Sequence, residues 1–600
     1  VSTFDEFEEK DYGKLSTPIL RRLLLLLKPH WRWVAGFLLS IALVSVIDAY
    51  TTYLSSQIID EGIRAGSRDA IVRIILIYGG VMLFQALLSF SFIYLTGVLG
   101  ERVRYDMRKQ MFNHLQSLSL SYFSKTPVGW IMARLTSDTE RLAELITWGL
   151  LDITWAIVNI ATAAVFMFII NANLAVIVLA MLPFLAIVAY QFRIRILYHY
   201  RLSRKMNSKI TGAFNEGITG VRVIKALSRE DANLAEFSEL TDGMYNASYR
   251  AAWLSALFLP TVQLISAFVL GFVLWRGGLQ VEIGMITVGG IQAFVSYVTF
   301  IMWPIQDMAR VYAQMQNAVA SAERIFHLID TEPVVKNRAR TITAETLSGD
   351  IRFEDVHFHY ESDDPVIKGL TFHVNQGDTV ALVGPTGGGK TTIVNLLCRF
   401  YEPTSGAIYL NNIDYLDMKL EDIQSRIGMV LQTPHLFSGS ISENIRYGRL
   451  NATDEDIEDA AKMAGAHDFI MTFEKGYQQD VGEGGNLLSV GQKQLISIAR
   501  AILAQPELFI MDEATSSVDT LTETLIQRGM EQLMTGRTSF VIAHRLSTIK
   551  RANKIIVIED GQIHEMGTHR ELINLKGKYY NLYTRQFRQE LEAQYDVFTQ

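Results

Sequence analysis

Eight consecutive residues carry the clearest chemistry in this chain: Gly384, Pro385, Thr386, Gly387, Gly388, Gly389, Lys390 and Thr391. They follow an apolar run at 380–383 and open into Thr392-Ile393-Val394-Asn395-Leu396-Leu397. The order reads strand, glycine-rich turn, helix, the context a phosphate-binding loop requires. Glycines let successive backbone amides turn inward around a polyphosphate, and the helix start adds a favourable dipole. Lys390 is placed to reach the β- and γ-phosphates, and Thr391 to offer a hydroxyl to Mg2+. A second stretch, Leu508-Phe509-Ile510-Met511-Asp512-Glu513, is an apolar strand ending in two acids. In an α/β sheet that edge is where ligands bind. Asp512 suits Mg2+, directly or through water, and Glu513 is positioned to polarise a water attacking the γ-phosphate. Val541-Ile542-Ala543-His544-Arg545 ends a further apolar run in the same manner, which offers His544 to the same γ-phosphate or water. Ser489-Val490-Gly491-Gln492 opens a helical pattern that runs through Leu503 and makes a second anion-binding helix start. One nucleotide site does not need two such ends from one chain, so a second copy can supply this one in trans. Tyr360, on an alternating strand just upstream of the loop, can stack on a purine.

These residues all lie in the second part of a chain of 600, which is too long for one domain. Hydrophobic residues reach 49%, but that average joins two unlike parts, an N-terminal half dense in apolar runs and a C-terminal half with the pattern of a soluble α/β domain. The net charge of −7, with no basic tail, argues against nucleic acid as a partner. Cys398 is the one cysteine, which rules out an intrachain disulfide and fits a packed, reduced thiol. The acidic stretch Phe4-Asp5-Glu6-Phe7-Glu8-Glu9 argues against a secretory leader, so membrane targeting is expected from the apolar spans themselves.

About six spans are predicted, each near the roughly 20 apolar residues that cross a bilayer. They cover about 33–57, 70–98, 142–170, 174–192, 251–274 and 286–308, preceded by a basic segment that reads as an interfacial helix. Basic residues concentrate at 101–109, 193–209 and 222–229, and the opposite loops are short, so the basic segments and the soluble half face the cytoplasm. Two excursions, about 100–140 and 193–250, are too long for turns and project as helices below the membrane. The Gly-bearing stretches inside them, around Gly129 and around Gly217 and Gly220, are the expected sites of short contact helices. Asp48 and Asp152 are carboxylates inside apolar spans and therefore functional suspects. Phe294, Tyr297, Phe300 and Trp303 form a stripe at three-residue spacing, which packs against a neighbour or lines a cavity for aromatic or lipophilic compounds. Pro183, Pro260 and Pro304 fall inside predicted spans and are expected to kink or loosen them.

Taken together and in order, these motifs resemble those of an ATP-binding-cassette exporter of the half-transporter type, over nearly the whole chain. Residues 384–391 are similar to the Walker A motif, 508–512 to Walker B, 488–492 to the signature motif and 516–519 to the D-loop. The resemblance implies ATP held by Tyr360, Gly384, Pro385, Thr386, Gly387, Gly388, Gly389, Lys390, Thr391 and Thr392. It implies Mg2+ held by Thr391, Gln432 and Asp512, with Glu513, His544 and Gln432 as the catalytic group. It further implies that Ser489, Val490, Gly491 and Gln492 touch the ATP of a partner chain, and that 480–484 touch the partner's cytoplasmic helices, the stretches near 126–135 and 213–222 being its coupling helices. The expected fold is multidomain, an all-α six-helix transmembrane domain followed by an α/β P-loop nucleotide-binding domain. The boundaries are 1–32 for an N-terminal segment with the interfacial helix, 33–330 for the membrane domain, 331–349 for a linker, 350–590 for the cassette and 591–600 for a tail. The expected activity is ATP-driven export of lipophilic or amphipathic compounds across a bacterial plasma membrane. A lipid or peptide translocator and a low-turnover ATP-gated regulator are the alternatives. Val490 stands where the family usually has glycine, while Glu513 and His544 are intact, which favours a heterodimer over a homodimer. Gly484 stands where the exporter loop usually carries arginine. Asp48, Asp152, Phe294 and Tyr297 are the residues expected at a substrate cavity.

Overall fold

The structure, a computed structural model, describes residues 17–360, 364–512, 520–543 and 546–585. The chain divides into two compact units, one made of Val1–Gln116 with Val128–Thr331, the other of Ser117–Pro127 with Glu332–Gln600.

The described residues of the first unit are helices joined by short turns. Helix α1 (Thr17–Leu27) leads into α2 (Trp31–Gln57), and α3 (Arg68–Ser117) follows a widened turn at Ile58–Arg64. After the short α4 (Leu120–Lys125), which belongs to the second unit, come α5 (Val128–Ala133), α6 (Thr139–Glu144) and α7 (Leu150–Ile170). Next are α8 (Ala172–Thr219), α9 (Val221–Ala226), α10 (Glu230–Glu282) and α11 (Val288–Asp330). Among the described residues, five helical segments are long and apolar enough to cross a membrane, and Val288–Pro304 adds a shorter apolar one. Helices α3, α8 and α10 have 50, 48 and 53 residues. At about 1.5 Å per residue they extend well beyond a hydrocarbon core of about 30 Å. The helices continue through Pro183, Pro260 and Pro304.

The ends of these long helices are set by local chemistry. The Asn171 side chain starts α8 by accepting from the Leu174 backbone amide (3.1 Å), and its Nδ2 donates to Gln280 Oε1 at the end of α10 (2.8 Å). Thr287 caps α11 in the same way through the Gly290 amide (2.9 Å), while Asp60 accepts from the Gly289 amide (2.9 Å). A Cβ on Gly289 would lie 2.2 Å from the Ser56 carbonyl, so only glycine permits that approach. In the second excursion α8 stops at Gly220 and the short helix follows it at Val221–Ala226, slightly beyond the predicted 213–222, because Gly217 remains inside α8.

The second unit is α/β. Strands β1 (Ile351–His359), β2 (Pro365–Val374), β4 (Ser405–Leu410) and β5 (Ile413–Asp414) form an antiparallel sheet in the order β2-β1-β4-β5. A six-stranded sheet has the order β10-β9-β3-β8-β7-β6, with β3 (Thr379–Val383), β6 (Ile427–Val430), β7 (Leu508–Asp512), β8 (Thr538–Ile542), β9 (Lys554–Glu559) and β10 (Gln562–Gly567). All its pairings are parallel except that of β10 with β9. Its inner strands are apolar on both faces, as a covered parallel sheet requires. Ala381, Val383, Phe509, Met511 and Val541 enter one core, while Val380, Leu382, Ile510, Phe540 and Ile542 enter the other. That two-residue alternation comes from the pleat itself.

The stretch read as a linker is fixed to this unit. Ile342 donates its amide to Asp417 (2.7 Å), and Glu507 accepts from the Thr346 hydroxyl and the Leu347 and Ser348 amides (2.7, 2.6 and 2.9 Å). The buried Arg399 guanidinium donates to the carbonyls of Lys336, Tyr415 and Met418. Within the same unit Ser119 Oγ, just before α4, accepts from the Val335 amide (2.9 Å).

Candidate functional site

Register places the predicted groups at one edge. Asp512 pairs with Ile542 across β7 and β8, Leu382 pairs with Ile542 across β3 and β8, and Val430 pairs with Met511 across β6 and β7. The loop at 384–391, Asp512 and the segment at 431–432 therefore leave the sheet at its C-terminal edge, and Gln432 is exposed there. Glu513, His544 and the D-loop at 516–519 lie outside the described residues.

The loop is built by its glycines. Gly384, Gly387 and Gly389 have φ of 148°, 85° and 104°, which L side chains rarely adopt. A Cβ on Gly384 would sit 1.9 Å from the Ile558 carbonyl of β9, and one on Gly389 would meet Ile367 of β2 at 2.9 Å. A Cβ on Gly387 would have open space around it, so the loop is tight at its base and open at its crown. Helix α12 (Lys390–Leu397) starts directly from it. Lys390 is mostly buried, and its ammonium donates to the carbonyls of Gly384 (2.9 Å) and Pro385 (2.8 Å), folding the side chain across its own loop. Burial pushes that ammonium below the ordinary lysine range, and the Asp512 carboxylate opposes the shift.

Tyr360 exposes 39% of its surface, enough to leave part of the side chain open to a partner. Its ring packs edge-on against Phe358 (4.8 Å) and Tyr401 (5.0 Å), and its hydroxyl is 3.1 Å from Thr392 Oγ1 on α12. Cys398, at the end of α12, is buried, and that burial pushes its thiol up, away from the reactive thiolate.

The signature residues are elsewhere. Ser489 caps α13 (Val490–Ala504), accepting from the Gln492 amide (3.3 Å), while Gln492 Oε1 accepts from the Ser489 amide (2.9 Å). Helix α13 packs against β6, the edge strand, three strand spacings or about 14 Å from β3. Gly491 is buried, whereas Val490 points out with half of its surface exposed. Gly484, in the neighbouring turn, has a φ of 60° and open space around it.

The four residues expected at a substrate cavity separate. Asp48 accepts from the Gln85 side-chain amide (2.6 Å), joining α2 to α3. Asp152 lines a cavity of about 440 Å3 with Arg141, Glu144, Trp148, Gln314 and Asn317. Phe294 and Tyr297 are fully buried, with the Tyr297 hydroxyl donating to the Ala49 carbonyl (2.7 Å) and its ring against Phe166. In this structure the upper part of the aromatic stripe is packing, and Phe300 and Trp303 continue it against Trp155.

One constellation was missed by the motif reading. Asp138 is buried and accepts from Ser321 Oγ (2.9 Å), Arg324 Nε (2.9 Å) and the Arg324 terminal nitrogen (2.6 Å), with Arg134 at 3.4 Å. It joins the segment before α6 to the lower part of α11. The sequence signal was a lone acid among small polar residues opposite an Arg-bearing helical run, which is too common a pattern to single out.

Comparison with known proteins agrees with this architecture. The ABC transporter transmembrane region matches residues 34–305, and the ABC transporter domain matches 367–516. The uncharacterised ABC transporter ATP-binding protein YknV of Bacillus subtilis is 34% identical over 98% of this chain and 97% of its own length. The fatty acid ABC transporter ATP-binding/permease protein of Mycobacterium bovis is 38% identical over 86% of this chain and 81% of its own. The putative multidrug export ATP-binding/permease protein YgaD of B. subtilis is 37% identical over 81% and 84%.

Proposed function

The chain belongs to the ABC transporter family as a half-transporter, an ATPase coupled to transport in the plasma membrane, and from that premise we propose that it exports lipophilic and amphipathic small molecules. Half-transporters act as dimers, and the proposal divides this one into a membrane domain at 33–330, a linker at 331–349 and a cassette at 350–590. One observation carries the reading: the phosphate cradle follows β3, whereas the helix capped by Ser489 packs against the edge strand β6, with β8 and β7 between them in the sheet. A nucleotide held at 384–392 is therefore offered the Ser489 end of a second subunit rather than of its own.

The residues fit ATP and Mg2+. The loop amides and Lys390 receive the phosphates, and the partly exposed Tyr360 ring receives the base. Thr391, Gln432 and Asp512 would hold Mg2+, which neutralises charge developing on the phosphates. Glu513 takes the proton of the attacking water, and His544 and Gln432 position that water and the γ-phosphate. Replacing Glu513 by Gln is expected to remove nearly all ATPase turnover while ATP still binds. Equal rates for wild type and variant would remove Glu513 from this role.

Val490 supports a heterodimer. Its β-branched side chain is exposed at the helix start where backbone must approach phosphate, so this chain's own signature end is the weaker one. ATPase of the chain alone, of Val490→Gly alone, and of either with a second half-transporter tests this. Full turnover by the unpaired wild type, unchanged by Val490→Gly, would make it a homodimer.

The cavity at Asp152 supports cationic amphiphiles, because Glu144 and Asp152 flank Trp148, and Arg141 lies 3.8 Å from Asp138. Asp48→Asn with Asp152→Asn is expected to slow export of cationic dyes, and unchanged export would exclude that preference. The relative named as a fatty acid transporter favours a second reading, translocation of single-chain lipids on the same scaffold. Inward-facing vesicles loaded with labelled fatty acid or with dye distinguish the two.

A further inference from the structure

A second cavity lies on α3 and shares no lining residue with the cavity at Asp152. It measures about 720 Å3 and runs along one face of the helix from Ile93 to Asp106, with His30 closing one side. These positions span about 20 Å at 1.5 Å per residue. Ile93, Tyr94, Gly97 and Val98 make one end apolar, and Glu101, Arg102 and Asp106 make the other charged, with the Tyr105 ring among them. The change falls at the cytoplasmic end of the second span, where the apolar run stops. A Cβ on Gly97 would have open space around it, so the floor of the groove is clear at its midpoint.

The charged end is arranged, not merely polar. Arg102 is exposed, its guanidinium stands 4.5 Å over the Trp33 ring of α2, and it has no ion-pair partner among the described residues. His30 holds Asp106 at 2.8 Å. Glu101 is bonded to Arg104, and its carboxylate remains largely exposed. Among its lining residues the groove thus presents one arginine, Arg102, beside two acids, with an apolar stretch continuing along the same helix face. A purely anionic headgroup meets two carboxylates here. A headgroup with a phosphate and a primary ammonium satisfies both signs, the phosphate on Arg102 and the ammonium donating to Glu101.

We propose that this groove is a binding site for an inner-leaflet phospholipid of the phosphatidylethanolamine type, its headgroup held by Arg102 and Glu101 and an acyl chain lying over Gly97. The occupant is a membrane lipid rather than a soluble amino-phosphate because the apolar half of the groove is continuous with the charged half.

The test uses the full-length protein in nanodiscs of equal parts phosphatidylethanolamine, phosphatidylglycerol and phosphatidylcholine, with retained lipid read by native mass spectrometry. Wild type is expected to retain phosphatidylethanolamine about fivefold over either competitor, the value of roughly one headgroup charge contact. Arg102→Gln removes the charge contact, Gly97→Leu fills the trough without touching the charges, and each is expected to abolish the preference. Arg276→Gln, outside the groove, is expected to keep it. Retention of phosphatidylglycerol equal to that of phosphatidylethanolamine, or identical retention in all four proteins, would overturn the proposal. So would a photo-cross-linker at Tyr94 that captures protein in place of lipid.

Discussion

Replacing Asp138 by Ala removes the group that holds the lower part of α11 in register. The carboxylate is 1% exposed and accepts three hydrogen bonds at 2.6–2.9 Å, two of them from Arg324. Arg134, itself 8% exposed, lies 3.4 Å away on the same acid. Without Asp138, the Arg324 guanidinium loses both of its bonds to the buried acid and the Ser321 hydroxyl loses its acceptor, a loss of about 3–5 kcal/mol. At about 1.4 kcal/mol per decade, that is two to three and a half decades in a local opening equilibrium. Hydrogen exchange of the α11 amides around 318–328 reads it directly, and these amides are expected to exchange about a hundredfold to a few thousandfold faster. Amides of β3 serve as the internal control and should not change. Asp138→Leu with Arg324→Leu removes both charges together and is expected to recover more than half of the loss, since Arg134 keeps its cation–π contact with Trp130 at 3.8 Å. If Asp138→Ala leaves the exchange of these amides unchanged, the buried network does not hold the helices and the reasoning fails.

Three further outcomes are expected. Gly384→Ala must move a Cβ away from a carbonyl 1.9 Å distant at a φ of 148°, so ATP affinity should fall by at least about tenfold while the helical unit keeps its far-ultraviolet helical signal. Full-strength binding of a fluorescent ATP analogue by this variant would mean that the loop does not use the observed geometry. Burial alone would raise the pKa of Glu507, but the Thr346 hydroxyl and the Leu347 and Ser348 donors outweigh it and hold its carboxyl below the usual range. A depressed carboxylate stabilises above its unfolded pKa of about 4.3 and loses that contribution as pH falls through its folded value. The stability gap between wild type and Glu507→Ala should therefore be constant from about pH 6 to 8 and shrink below about pH 4, and a gap that grew on acidification would contradict the assignment. Tyr360→Ala should weaken ATP binding by about fivefold to a hundredfold, the value of one stacked base, and leave triphosphate binding unaltered.

The nucleotide cradle was legible in the sequence because its chemistry is local. Glycine at 384, 387 and 389 is required by backbone angles within one loop, and the flanking strand and helix are its immediate neighbours. The long helices were legible for the same reason, since apolar length and Lys/Arg bias act segment by segment. Asp138 and Arg324 are 186 positions apart, and nothing in either segment names the other. Phe294 and Tyr297 show a further limit. A three-residue period reveals that the side chains share a face, but the partner decides whether that face is packed, and here the partners are Ala49 and Phe166. The stretch at 331–349 reads as a linker by composition, yet Arg399 and Glu507 fasten it through contacts more than 60 positions away.

The central claim is that ATP draws two nucleotide-binding domains together. Cys398 is the chain's one cysteine and is buried, so a single spin label at Asn451→Cys reports on the exposed surface alone. Electron–electron distance measurement on the paired transporter with Glu513→Gln, a second label being placed on the nucleotide-binding domain of the partner subunit, tests the claim most directly. The label-to-label distance is expected to shorten and stay short when ATP and Mg2+ are added, and to remain long with nucleotide withheld. A distance unchanged by ATP and Mg2+ would contradict the account.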